Sequence, residues 1–171
     1  MRARTLELTL AAMGAGSSAA LDLCNRELRR VQLLPVGGRG LNTPEIDQRG
    51  AAAMLIGLAS SAVASQAGDT ALTYAGFIDP LKRKDGTLLD FLTKILGDPA
   101  LASEVDEIRV CRTRPWAMVV GRDGGKRTFH PAKPTFSGDP NKHNRLGGRE
   151  EYVIGSVLLH QIAIDFKEEQ G

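Results

Sequence analysis

Cysteine is nearly absent from this chain. The only two, Cys24 and Cys111, lie far apart. So sparse a pair excludes a disulfide framework, and the expectation is two buried free thiols in a reducing compartment. Long apolar runs are missing too: none reaches the ~18 residues that a membrane span needs. The opening Met1-Arg2-Ala3-Arg4 is basic, but Glu7 interrupts the apolar stretch behind it, which argues against a secretory signal. A cytoplasmic protein with no membrane partner is expected.

Signatures of chemistry are also lacking. His130, His143 and His160 are scattered, with no HxxxH, HExxH or CxxC spacing to bring metal ligands together. There is no GxSxG nucleophile turn, and no pair of carboxylates stands out for acid–base work. Asp123 sits in a turn sequence, where aspartate is expected for backbone reasons. No enzyme, cofactor or metal is expected. No internal repeat is visible.

What is present is an ordinary globular composition, 42% hydrophobic and 25% charged, with an uneven charge distribution. The net charge is only +2. Residues 109–149, however, carry ten Lys/Arg against two Asp/Glu, while residues 67–108 carry four against eight. The basic segment could face phosphate, or it could be a solvated face that neutralises its acidic neighbours.

Hydrophobic periodicity predicts a helix over 5–13 from Leu6, Leu8, Leu10, Ala11 and Met13, with Thr5 as its cap, ended by Gly14 and Gly16. Ser17 and Ser18 are N-cap residues for a second helix over 18–33. On it Leu21, Cys24, Leu28 and Val31 form one stripe, with the arginines mainly off it. Thr43-Pro44-Glu45 has the order of a helix start, and the apolar stretch that follows predicts a buried helix over about 44–65. Residues 71–78 are ambiguous between helix and strand. Leu88, Leu89, Leu92, Ile95 and Leu96 define an amphipathic helix over 86–99, and a further helical turn is expected over 100–106. Alternation then predicts strands over 107–130, with Arg122-Asp123-Gly124-Gly125 as a hairpin turn. Trp116 is expected to pack on the Leu88–Leu96 helix and Phe129 to be core. Residues 131–148 read as a long polar loop, and 150–168 as a closing helix.

The fold class expected is therefore α+β and mostly helical. A three-helix unit, residues 1–66, precedes a small antiparallel sheet packed by two helices, residues 67–171.

"LLPVGGRG", residues 33–40, interrupts the helices. It lacks the GxxxxGK[ST] and GxGxxG spacings of phosphate loops, and a helix precedes it rather than a strand. A plain linker and a DNA-touching wing remain open. The order of helix, glycine turn, helix and loop is that of a helix-turn-helix, whose second helix enters the major groove. "LAAMGAGSSAALDLCNRELRRVQLLPVGGRG" resembles the MerR-like winged-helix domains of phage and bacterial regulators, in which a "GLLP…GRG" wing follows the second helix. Gln32 stands where many such sequences have glycine. The resemblance covers about residues 5–62 and implies sequence-specific binding of double-stranded DNA.

On that reading Arg26, Arg29 and Arg30 are candidates for phosphate or guanine contacts, Asn25 for adenine or backbone positioning, and Ser17 and Ser18 for phosphate. Arg39 would touch backbone or minor groove. Salt bridges between these arginines and Asp22 or Glu27 are the structural alternative. Arg109, Arg112, Arg114, Lys126 and Arg127 would add phosphate contacts from the basic segment. The last helix is a candidate homodimer face, since short recognition helices commonly read two half-sites.

Two other classes stay open. One is a phage-type factor that binds a protein, inhibiting a host defence complex or modulating RNA polymerase through the same basic segment. The other is a single-strand or RNA binder that uses Trp116 and Phe136.

Overall fold

The computed structural model describes residues 1–36, 45–113, 115–132 and 150–169. Helices come first: α1 (Ala3–Ala12), α2 (Ser18–Arg30), α3 (Gln48–Ser60), α4 (Ala67–Ala75), α5 (Leu88–Leu96) and α6 (Pro99–Glu104). The strands β1 (Val105–Cys111), β2 (Trp116–Gly121), β3 (Lys126–Phe129) and β4 (Glu151–Gly155) follow, and α7 (Ser156–Glu168) closes the chain. The α+β class read from the sequence is the class observed.

Capping residues explain where the helices start. The Ser17 hydroxyl accepts from Ala20 N at 3.3 Å, at the head of α2. Asp47 accepts from Gly50 N at 2.7 Å and starts α3. Thr87 and Asp90 form a reciprocal capping box on α5. The Asp90 carboxyl is held down at about 2 by the Thr87 backbone N–H, then by Arg49 and the Thr87 hydroxyl.

The end of α2 has a consequence of its own. Leu33 N donates to Leu28 O at 2.9 Å and Gln32 N to Arg29 O at 3.1 Å. This is a Schellman closure, with Gln32 in the left-handed position at φ 62°. Glycine normally takes that position because a Cβ is strained there.

Three expectations are corrected. The third helix does not start near residue 44. Glu45 is extended and bridges Arg2, and Ile46 N donates to Met1 O at 2.6 Å, so α3 begins only after Asp47; Thr43-Pro44 lies outside the described residues. The closing helix does not begin at 150 either, because Glu151–Gly155 is a strand paired antiparallel with β1. Tyr152, Val153 and Ile154 are strand-forming residues, and the open edge of β1 supplies their partners. Trp116, finally, does not pack on α5. Its neighbour Ala117 faces the core, so alternation turns Trp116 to the opposite face, and it is only partly buried. The ambiguous 71–78 segment is helical through Ala75 and then extended, Ile78 bridging both Thr87 and His130.

The sheet order is β3-β2-β1-β4, antiparallel throughout. Its inner face, with Ile108, Val110, Ala117, Val119, Phe129 and Ile154, is buried against helices that include α3 and α7. Phe129 meets Phe91 of α5, ring centres 5.4 Å apart.

A single hydrophobic cluster draws on both sides of residue 66, including Leu21 and Cys24 as well as Ala67, Ala71 and Leu92. Gly68 shows how tightly α4 sits on α2: a Cβ there would lie 2.6 Å from the Glu27 carbonyl oxygen. Both cysteines are free and buried. Burial, then the nearby Glu27, pushes the Cys24 thiol up to about 12, which leaves it unreactive.

Candidate nucleic-acid interface

The two helices expected at the start of the chain are present as α1 and α2, joined by a five-residue connection whose Gly14 has φ 75°, longer than a tight turn of two or three residues. The apolar stripe of α2 (Leu21, Cys24, Leu28) is fully buried, so its spacing turns Ser18, Asp22, Arg26 and Arg30 outward.

The candidate residues divide sharply in position. Ser17 is taken as the N-cap, while Ser18 is exposed. Asn25 is buried between α1 and α2, where its Nδ2 donates to Glu7 Oε1 at 2.7 Å. It fixes how the two helices meet and does not reach the surface. Glu7 is itself buried and also lies 3.3 Å from Arg4.

Each exposed arginine of α2 has an acidic neighbour. Arg26 pairs with Asp22 at 2.9 Å. Arg30 pairs with Glu27 at 2.8 Å and with Asp69 of α4 at 2.9 Å. Its hydrogen bonds to Asp69 and then to Glu27 raise the Arg30 pKa further, so it is a permanent cation. Arg29 is half-buried, its Nε enclosed without a hydrogen-bond partner among the described residues. Surface ion pairs such as Arg26–Asp22 and Arg30–Asp69 contribute little to stability, so exchanging an exposed carboxylate for a phosphate costs little.

The basic segment behaves differently. Arg109 Nε donates to Glu107 at 2.6 Å, with Glu151 3.9 Å away on the same outer sheet face. Arg112 is a clamp. Its Nε and Nη2 donate to Ala59 O and Leu58 O, in the last turn of α3, at 2.9 and 3.0 Å. Its Nη1 meets Glu150 at 2.9 Å, and its guanidinium lies 5.0 Å from the Tyr152 ring centre. It satisfies a helix C-terminus. Arg127 is held by Asp79 at 3.0 Å and stacks over Phe91 at 4.6 Å. Its Nη2 lies 3.1 Å from Asp85, without hydrogen-bond alignment. Lys126 is exposed. Arg39 with the GGRG loop, Arg114 and Phe136 lie outside the described residues.

Sequence reasoning missed a second grouping. Lys82, Lys94 of α5 and Arg122 at the hairpin tip come together with Lys126 around a cleft of about 800 Å³. Each is individually unremarkable in sequence. Only the position of Lys94 off the α5 stripe and of Arg122 in a turn marks them as exposed. Among the described residues no cluster of three or more His, Cys, Asp or Glu could hold a metal ion, and no helix is long and apolar enough to cross a membrane. No protein-family model, curated protein or solved structure matches this chain.

Proposed function

We propose that the protein binds double-stranded DNA in a sequence-specific way, as a transcriptional regulator of the phage or mobile-element type, with α2 as its reading helix. The observation that carries this is the outward face of α2. It presents Ser18, Arg26 and Arg30 to solvent, with Asp22 as its one acid, behind a five-residue connection that contains Gly14 and Gly16 and over a stripe that is fully buried. Two of the arginines' three partners, Asp22 and Asp69, are exposed and so weak, which lets phosphates replace them. The pairing of Arg109 with Glu107 on the outer sheet face and of Arg112 with the end of α3 speaks against the basic strands as the main docking surface, for DNA or for an acidic protein.

The test is selection from a random duplex pool at near-physiological salt, using the intact chain and an Arg26→Ala/Arg30→Ala variant. An enriched motif is expected, with affinity that falls steeply with salt and at least tenfold weaker binding by the variant. Sequence-blind binding, or the same motif with undiminished affinity in the variant, would overturn the assignment to α2.

A further inference from the structure

The cleft between α5, α6 and the β2–β3 hairpin has a chemistry that the DNA reading does not use. Its rim carries Lys82, Lys94, Arg122 and Lys126, all exposed. None of the four has a carboxylate within ion-pair distance among the described residues, in contrast to Arg109, Arg112 and Arg127. Two carboxylates share the lining. One of them, Asp123, is engaged by Gly125 N at 2.8 Å. With Arg127, the lining holds five cations against two acids.

Beneath the rim lies an apolar floor that includes Phe91, Ile95, Leu101 and Val119. Phe91 and the partly exposed guanidinium of Arg127 stacked on it give this floor a flat component. The volume, about 800 Å³, is in the range of small-ligand sites. Unpaired cations around an apolar floor suit a molecule that is anionic at one end and flat and apolar at the other. A DNA duplex would offer phosphates to the rim and nothing to the floor.

We propose that this cleft binds a nucleoside phosphate, its phosphates held by Lys82, Lys94, Arg122 and Lys126 and its base lying on the Phe91 side of the floor. The proposal is independent of DNA binding by α2.

The test is titration of the intact chain with ADP, with adenosine and with inorganic pyrophosphate, followed by calorimetry and by backbone amide shifts. ADP is expected to saturate with a Kd below about 1 mM, tighter than either half alone, and to move amides of residues 101–104 and 121–127. Lys94→Gln/Lys126→Gln should weaken ADP at least tenfold while leaving the thermal unfolding midpoint unchanged, because neither lysine holds the fold together. Absence of saturation by ADP would overturn the proposal. So would shifts confined to other residues, or equal affinity in the double variant. If a duplex oligonucleotide moved the 121–127 amides and ADP did not, the cleft would be a DNA-backbone contact instead.

Discussion

The arginines tied into the fold, Arg112 and Arg127, and the rim of the α5–hairpin cleft are both basic, but they differ in what those residues touch. Arg112 and Arg127 face carboxylates, carbonyls and aromatic rings of their own chain. The rim of the cleft faces water. Charge along the sequence does not show the contrast, since residues 109–149 are strongly basic and 67–108 acidic. Yet the acidic segment supplies Lys82 and Lys94 to the cleft, while its Asp79 and Asp85 hold Arg127. Charge counted along a chain measures what is available to the fold. What is left for a partner depends on which charges the fold consumes.

Substitutions can break this contrast. The largest effect is expected at Arg127→Met, which keeps an apolar body over Phe91 but strands the buried Asp79; breaking such a pair costs about 3 kcal/mol, measurable by urea unfolding. Arg112→Met should follow with a loss of about 2 kcal/mol, since two carbonyls at the end of α3 lose a charged donor, and chemical denaturation would show it. Gln32→Gly should act in the opposite direction, raising stability by about 0.5–1 kcal/mol through relief of the left-handed strain. Because it removes no charge and keeps the bond from residue 32 N to Arg29 O, it should leave DNA affinity unchanged, and a change in affinity would mean that the cap itself positions the reading face. Smallest of all, Lys94→Gln/Lys126→Gln should shift stability by less than about 0.5 kcal/mol. A larger loss would place those lysines with the structural cations.

Where local signals agree, the elements were legible. Leu6 and Leu10, the Ser17 cap, the α5 stripe and the Asp-Gly-Gly turn all specify structure within a few residues of themselves. Residues 150–155 were not legible, because their pattern merges smoothly into that of α7 and only the free edge of β1 makes them a strand. Asn25 read as an exposed polar residue because its partner, Glu7, lies on another helix. The cleft was the least legible feature, since its cations come from separate stretches of chain that only the tertiary fold brings together.

The position of β4 has a consequence for how the sheet is assembled. β1 meets β2 after a connection of 4 residues and β4 after one of 39. Closing the longer connection costs about 2 kcal/mol more in chain entropy. The β1–β2–β3 meander is therefore expected to form first, with β4 joining in a slower, non-local step that stopped-flow refolding would resolve. α7 starts at the residue after β4 ends, so strand and helix arrive as one unit. Until they do, β1 presents an unpaired backbone edge on which a second chain could template, and the lifetime of that open seam sets the window in which the protein is vulnerable to aggregation.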